Sequence, residues 1–266
     1  MKLENNKNGD SMKKVLITGA GGGLMRVVIE NIKDRYFIYA TVHTEKQLEL
    51  LKKRYDKEKN IICFVLDVTK ESDRKKVIDL EIDIFINNAA IGYGGSIVDM
   101  NMNKVRENFE VNVFSNFELL QKIVQKMIQQ QSGKIINIAS LAGIVPIPFI
   151  GSYASSKSAI IKLTETLKQE LKMISNIDVC LIEPGFYDTG FNQVMFDNKD
   201  IDLYFKEIKE YINKSQDFIH RWIEKKNLNS IVFKIINCID SKHPRFIYRA
   251  PCSQVIFSKI YCLFFQ

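Results

Sequence analysis

The fold of this 266-residue chain is decided at residues 14–33, which read KVLITGAGGGLMRVVIENIK. A short apolar run leads directly into four glycines within five positions, and apolar residues at helical spacing follow. Such a turn lets the backbone approach a pyrophosphate, which then lies at the positive end of the helix. The segment therefore predicts a phosphate-binding strand–turn–helix. We assign the binding contacts to Thr18, Gly19, Gly21, Gly22, Gly23 and Leu24.

The same alternation of apolar runs and helical segments continues along the chain. Runs that are apolar on both faces are typical of parallel strands covered by helices on both sides of a sheet. The pattern predicts an α/β fold, a doubly wound parallel β-sheet (Rossmann fold) with helices on both faces. The predicted strands are Lys14–Thr18, Tyr36–Val42, Ile61–Leu66, Ile82–Ile86, Lys134–Ala139 and Asp178–Ile182, with a last strand at Arg245–Tyr248.

The chain shows no repeat and no linker, so we predict a single nucleotide-binding domain over residues 14–250. Residues 1–13 form a polar, flexible leader, in which Met12 is an alternative start. Residues 186–226 form an insertion that covers the substrate, and residues 251–266 form an apolar tail. Helices are predicted at Leu24–Lys33, Glu45–Tyr55, Thr69–Asp79, Met102–Gln130 (two helical patterns), Ser152–Met173 and Leu228–Asp240.

The composition excludes several classes of protein. The net charge of +7 comes from 38 basic and 31 acidic residues that are interleaved, and no nucleic-acid-binding motif accompanies them, so we expect no nucleic-acid partner. Five cysteines without a C-x-x-C pair indicate a reducing compartment and no metal site. The chain has no apolar stretch of about 20 residues and hence no predicted transmembrane segment. We expect a cytoplasmic protein.

The strongest catalytic signal is the segment Tyr153-Ala154-Ser155-Ser156-Lys157, at the start of a predicted helix. The four-residue spacing places the tyrosine and the lysine on one helical face. A free tyrosine has a pKa of about 10 and is a poor base near neutrality. A nearby ammonium favours the phenolate and lowers that pKa toward the working range. The pair predicts acid–base chemistry at Tyr153 with Lys157 as its electrostatic partner.

Further polar residues follow the predicted strands, where ligands bind in open α/β sheets. Ser140 ends one strand, and its hydroxyl can either bond a substrate oxygen or cap the following turn. The segment Asn87-Asn88-Ala89-Ala90 follows another strand, and Asn112 lies within the long helical stretch.

Together these segments resemble the short-chain dehydrogenase/reductase family over residues 14–250. Thr18, Gly19 and Gly23 match its T-G-x-x-x-G-x-G turn, but Met25 replaces the last glycine. That glycine permits close packing of the helix on the strand. We therefore expect the methionine to displace the helix or to reshape the phosphate pocket.

The resemblance implies a catalytic tetrad of Asn112, Ser140, Tyr153 and Lys157. Tyr153 would transfer the hydroxyl proton, while Lys157 would lower its pKa and hold the nicotinamide ribose. Ser140 would orient the substrate oxygen, and Asn112 would hold a water in a proton relay. The resemblance also implies cofactor contacts by Asp67 and Val68 (which also suit a helix cap), Asn88, Ala89, Ala90, Pro184, Gly185 and Thr189.

The end of the second strand bears on the choice of cofactor. An NAD site usually offers an acidic side chain there to the ribose 2′-hydroxyl. This chain has His43, Thr44 and Lys46 instead, which suit a 2′-phosphate, although Glu45 is adjacent. We expect NADP(H) in preference to NAD(H).

The resemblance implies a small-molecule alcohol or carbonyl substrate, and we expect it to be hydrophobic. The stretch 241–248 resembles that of retinol and hydroxysteroid dehydrogenase-like members, and the covering insertion is rich in large apolar residues. Such residues at helical spacing are more often core than pocket. They are Phe186, Tyr187, Phe191, Met195, Phe196, Tyr204, Phe205, Tyr211 and Trp222.

The sequence allows several interpretations of the tail, and it offers two alternative functions. The tail could cap the substrate site, join a subunit interface, touch a membrane surface or pack on the core. The helices at Met102–Gln130 and Ser152–Met173 resemble those through which family members form homodimers or homotetramers. A 3-oxoacyl thioester reductase of the same family and a non-catalytic nucleotide-binding regulator are the alternative functions.

Overall fold

A computed structural model describes residues 12–197 and 199–265, apart from the side chains of Trp222 and Phe265. Seven parallel strands form one sheet in the order β3-β2-β1-β4-β5-β6-β7, which confirms the predicted doubly wound parallel fold. Most of the predicted leader lies outside the described residues. The strands are β1 (Lys14–Ile17), β2 (Phe37–Val42), β3 (Ile61–Val65), β4 (Ile84–Asn87), β5 (Lys134–Ile138), β6 (Asp178–Pro184) and β7 (Ile247–Ala250).

Helices connect the strands across both faces of the sheet. A six-residue π-helical segment, Glu110–Ser115, joins α4 to α5, so that the two predicted helical patterns form one continuous run. The helices are α1 (Gly23–Ile32), α2 (Glu45–Tyr55), α3 (Glu71–Lys75), α4 (Met102–Phe109), α5 (Asn116–Gln130), α6 (Gly151–Lys172), α7 (Phe191–Asp197), α8 (Lys209–Phe218), α9 (Asn229–Asp240) and α10 (Cys252–Phe265).

The bounds of several elements differ from the predicted ones. The helix predicted at Thr69–Asp79 is shortened to α3, because the following N–H groups of Lys76 and Ile78 bond carbonyls three residues back and tighten the chain into turns. The last strand begins at Ile247 rather than Arg245. The apolar tail is helical as α10, which packs on β7.

Alternate residues of each strand enter two separate cores. Val15 and Ile17 of β1 face a cluster with α1, α2 and α9, whereas Leu16 faces a cluster with α5 on the other side of the sheet. All three side chains are completely buried. A central strand covered on both faces therefore explains why the run is apolar without alternation.

Met25 lies in the first of these cores. Its side chain is fully buried among the residues that join α1 to the sheet, and α1 still begins at Gly23, directly after the glycine turn. The methionine that departs from the family fingerprint thus supplies core packing in this chain.

Restoring glycine at this position is expected to cost stability. Met25→Gly deletes a fully buried side chain and places a glycine in a helix, so the free energy of unfolding should fall by about 3–5 kcal/mol. Met25→Leu, which conserves volume, should lose less than about 1.5 kcal/mol. Urea unfolding of the two variants measures both values. An unchanged midpoint for Met25→Gly would show that Met25 does not support the core.

Candidate active site

Tyr153 and Lys157 lie in the first turns of α6, and both side chains are buried. The Lys157 ammonium nitrogen is 5.7 Å from the centre of the Tyr153 ring. It also donates a 3.1 Å hydrogen bond to the carbonyl of Ile138, the last residue of β5. The predicted placement of the two side chains on one helical face is therefore realised, and the end of the neighbouring strand holds the lysine in place.

The protonation behaviour of this pair differs from the prediction. Burial raises the pKa of the Tyr153 phenol above its usual range, and a hydrogen bond with Ser140 lowers it only in part. Burial also lowers the pKa of Lys157, to about 8. Desolvation disfavours the charged form of each group and outweighs the expected effect of Lys157 on the tyrosine pKa here.

Ser140 follows β5 and faces the same site. Its hydroxyl accepts a 3.1 Å hydrogen bond from the Ala142 amide and donates a 3.4 Å hydrogen bond to the Pro184 carbonyl. The first bond caps the short 3₁₀ helix Leu141–Gly143. The serine thus serves the capping role considered from the sequence and also approaches Tyr153 and the end of β6.

Apolar side chains of residues 186–226, the predicted covering insertion, pack against Tyr153. The Phe191 ring of α7 lies 5.5 Å from the Tyr153 ring, centre to centre, and Met195 is buried in the same cluster. The other large residues of the insertion divide between core and surface. Tyr187 is buried and bonded to Ser230, Phe205 packs on Phe149, Phe196 joins the cluster, Tyr204 and Tyr211 are exposed, Phe186 is half-buried, and the Trp222 side chain lies outside the described residues.

The glycine turn is bonded to the segment that follows β4. The buried Thr18 hydroxyl accepts hydrogen bonds from the amides of Asn88 and Ala89, at 2.9 and 3.0 Å. The Asn88 side chain donates in return to the carbonyls of Thr18 and Gly19. Gly19 has a positive φ of 66°, and a Cβ there would lie 2.9 Å from the Asn88 amide nitrogen. The two predicted cofactor segments therefore form one surface.

This surface fits a dinucleotide phosphate. Helix α1 begins with Gly22 as its N-cap, has no side-chain cap and carries no acidic residue in its first turn. Its first N–H groups are therefore oriented as an anion site requires. A Cβ on Gly21 would lie 3.2 Å from Val42 at the end of β2, so the missing side chains leave room for backbone approach. Leu24, the remaining predicted contact, is partly buried in the first turn of α1.

The residues predicted at the adenosine end lie in two turns. His43 and Thr44 are exposed after β2, and the Thr44 hydroxyl caps α2 by accepting from the Gln47 amide. Asp67 follows β3 and accepts hydrogen bonds from Thr69, but it does not cap α3, whose N-cap is Lys70 without a side-chain cap. Val68 is buried beside it.

The segment after β6 meets the glycine turn and the C-terminal helix. A Cβ on Gly23 would lie 2.8 Å from the Thr189 carbonyl oxygen, and a Cβ on Gly185 would lie 2.0 Å from the Gln254 side-chain oxygen. That oxygen accepts a 2.7 Å hydrogen bond from the Phe186 amide. The backbone contact therefore requires a glycine at position 23, whereas at Gly185 the near atoms belong to the Gln254 and Pro251 side chains. The predicted Pro184–Thr189 segment borders the cleft.

Comparison with known proteins agrees with this arrangement. The short chain dehydrogenase family model matches residues 13–200. The chain belongs to the short-chain dehydrogenase family. A short-chain dehydrogenase/reductase from Burkholderia phymatum in complex with NAD shares the fold, with a TM-score of 0.80 at 21% identity, covering 95% of this chain and 93% of that one.

Two relatives of this short-chain dehydrogenase carry names of defined reactions. A 3-ketodihydrosphingosine reductase of Bacteroides thetaiotaomicron is 28% identical over 258 residues, which are 92% of this chain and 90% of the relative. An NADPH-dependent 3-dehydrocapnine reductase of Ornithobacterium rhinotracheale is 28% identical over 185 residues, which are 65% of each chain.

Three buried asparagines at four-residue intervals bond the segment that follows β4 in this short-chain dehydrogenase. Along the run from α4 to α5, each uses its side-chain amide to bond the backbone of the segment after β4. Four residues of helix and two residues of extended chain cover similar lengths, about 6 Å, so each asparagine lies opposite the residue that it bonds. The pairs are Asn108 with Tyr93, Asn112 with Ile91, and Asn116 with Ala89.

Two of these asparagines also bond α6. Asn108 donates to the Ser152 hydroxyl at 2.9 Å and Asn112 to the Ser156 hydroxyl at 3.0 Å. Asn112 lies in the π-helical segment, a distortion that is frequent at functional sites. Of the three asparagines, only Asn112 was predicted to belong to the site. The sequence signal for the other two was the N-x-x-x-N spacing, which matches the S-x-x-x-S spacing of α6. That match indicates contacts only once the two helices are known to be neighbours.

Removing one of these asparagine side chains should destabilise the protein and weaken cofactor binding. Asn116→Ala leaves the Ala89 and Val111 carbonyls without this donor, so the free energy of unfolding should fall by about 1–3 kcal/mol. The dissociation constant for NADPH, measured by fluorescence titration, should rise with it. Gln125→Ala, at an exposed position of the same helix, is the matched control. Equal values for both variants and the parent would contradict a bracing role.

Proposed function

We propose that this short-chain dehydrogenase interconverts an alcohol and a carbonyl compound. Its main direction in this proposal is the reduction of a hydrophobic ketone, and its preferred cofactor is NADPH. The observation that carries the proposal is the burial of Tyr153 between Ser140 and the Phe191 ring. Bound NADPH would supply the hydride for the carbonyl carbon. The protein groups supply the proton, the orientation and the exclusion of water.

Tyr153 is the proton donor in this proposal. Because burial raises its pKa, the phenol stays protonated at neutral pH. It is then able to give its proton to the substrate oxygen as negative charge develops there, while Ser140 donates a hydrogen bond to the same oxygen. The reverse reaction needs the phenolate, which burial disfavours. The relatives named as reductases support reduction as the main direction.

Lys157 and Asn112 support that transfer. Only one of the three N–H bonds of the Lys157 ammonium is needed for Ile138, which leaves donors for the ribose hydroxyls of the cofactor. We assign Asn112 the water-holding position of the proton relay. Its side chain is already engaged by Ile91 and Ser156, so it also holds the loop and α6 at a constant separation.

The cofactor would be held by residues of the cleft already described. The turn from Thr18 to Leu24 and the α1 N-terminus would bind the pyrophosphate, and Asn88, Ala89 and Ala90 would line the cleft. Asp67 and Val68 would meet the adenine, and Pro184, Gly185 and Thr189 the nicotinamide amide. His43, Thr44 and Lys46, all exposed and without an acidic residue at the strand end, favour a 2′-phosphate.

A hydrophobic ketone fits the apolar side chains packed against Tyr153. Phe191, Phe196 and Ile147 are partly buried apolar residues packed on the cluster that contains Tyr153, and Met195 is buried within it. The relatives named as 3-ketodihydrosphingosine and 3-dehydrocapnine reductases support a lipid ketone, and the second name specifies NADPH.

A screen of NADPH oxidation over long-chain ketones, steroid ketones and acetoacetyl thioesters, followed by Tyr153→Phe, tests the proposal. The variant should lose at least about a hundredfold in turnover while its NADPH dissociation constant stays within about threefold of the parent, because only the proton is removed. Tyr39→Phe, outside the site, is the control. Turnover of thioesters alone would identify a 3-oxoacyl thioester reductase, and no turnover in the parent would support a non-catalytic nucleotide-binding regulator.

The cofactor preference has its own test at the end of β2. Lys46→Ala should weaken NADPH binding by about fivefold and leave NADH binding unchanged, since it removes one charge near the 2′-phosphate. Lys53→Ala, exposed farther along α2, is the matched control. Tighter binding of NADH than NADPH by the parent would overturn the preference.

A further inference from the structure

The C-terminal helix presents an apolar stripe that faces away from the protein. Five large apolar side chains at helical spacing are each between 50% and 78% exposed, whereas Ser258, on the opposite side of the helix, is buried. Isolated exposed apolar residues are ordinary, but a contiguous stripe marks a contact surface. The stripe consists of Ile256, Phe257, Ile260, Leu263 and Phe264.

A basic cavity adjoins one edge of this stripe. It measures about 780 Å³ and opens between α9, β7 and α10, with Val255 and Lys259 as its α10 lining. Its charged and titratable lining residues are Lys234, Asp240, His243, Arg245, Arg249 and Lys259.

The positive charge of the cavity is only partly compensated. Asp240, its one acidic residue, is bonded to Arg35 and Tyr36, and Arg249 is paired with the buried Glu183. Within residues 12–197 and 199–265, Lys234, Arg245 and Lys259 form no ion pair. Three cations next to an apolar stripe are complementary to a surface that is both apolar and anionic.

We propose that α10 docks this protein on an anionic lipid surface. The stripe would enter the boundary between headgroups and acyl chains, as interfacial helices do, and Arg245, Lys234 and Lys259 would bind the lipid phosphates. None of the described helices is long and apolar enough to cross a membrane. Docking is therefore along the surface.

The charge argues against a second copy of the chain as the occupant. A two-fold dimer through the stripe uses the same surface on both protomers, which brings the two basic clusters toward one another. Like charges juxtaposed in this way oppose association. An anionic lipid surface instead compensates every uncompensated cation of the cavity.

The other edge of the stripe links docking to the substrate side. Gln254 accepts a hydrogen bond from the Phe186 amide and donates a 2.9 Å hydrogen bond to the Ile223 carbonyl. Both partners belong to the insertion that covers Tyr153. A lipid surface at α10 would therefore lie next to the segment that packs on Tyr153, although docking itself does not depend on turnover.

Co-sedimentation of the full chain with vesicles tests the proposal. Binding should be at least about tenfold stronger to vesicles of phosphatidylcholine mixed with phosphatidylglycerol than to phosphatidylcholine alone. Arg245→Gln and Lys259→Gln should each weaken binding by about fivefold. Phe257→Ser with Leu263→Ser should weaken it by more than about tenfold. Lys53→Gln and Leu50→Ser, exposed on α2, are the matched controls.

Unchanged thermal unfolding and NADPH binding verify that each variant is folded, whether or not a substrate has been found. Equal binding to both kinds of vesicle, or losses with the α2 controls as large as those with the α10 variants, would overturn the proposal. If the serine variants instead convert a dimer to a monomer by sedimentation equilibrium and leave vesicle binding intact, the stripe is a subunit interface. Stabilisation by inorganic phosphate alone, without vesicle binding, would make the cavity a site for a free anion and would also overturn it.

Discussion

Hydrogen bonds between buried polar groups at the carboxyl edge of the parallel sheet hold the ends of the strands together, and the site depends on them. The Thr18 hydroxyl bonds the segment after β4, Asn116 bonds the same segment from the helical side, and Ser140 joins β5 to β6. Each buried group left without a partner costs about 1–3 kcal/mol. The ends of four strands are consequently held in one arrangement, and the catalytic and cofactor-binding side chains extend from it.

Burial gives this arrangement its chemistry and also opposes it. The environment that excludes water from Tyr153 and Lys157 disfavours both the phenolate and the ammonium. The charged form of the buried Lys157 is poorly solvated, which opposes folding. Such a residue is expected where function competes with stability. Met25, in contrast, belongs to the packing that opposes unfolding, because its side chain fills the core between α1 and the sheet.

The covering insertion connects the site to the outer surface of the molecule. On its inner side Phe191 packs against Tyr153, and on its outer side Phe186 and Ile223 are bonded to Gln254 of α10. A single glutamine side chain thus links the segment over the reacting hydroxyl to the helix that carries the exposed apolar stripe. The Gln254 side chain also packs closely on Gly185.

The sequence by itself determined the fold class and the family and located the pair proposed for acid–base chemistry, because apolar periodicity, the glycine turn and the four-residue spacing from Tyr153 to Lys157 are local patterns. Only the tertiary structure decided the direction of the two pKa shifts, since desolvation depends on what surrounds a group. It also revealed Asn108 and Asn116, whose partners lie far along the chain. The tail became a helix with an exposed stripe because β7 supplies its packing partner, and no local pattern in the apolar run specifies which face that strand covers.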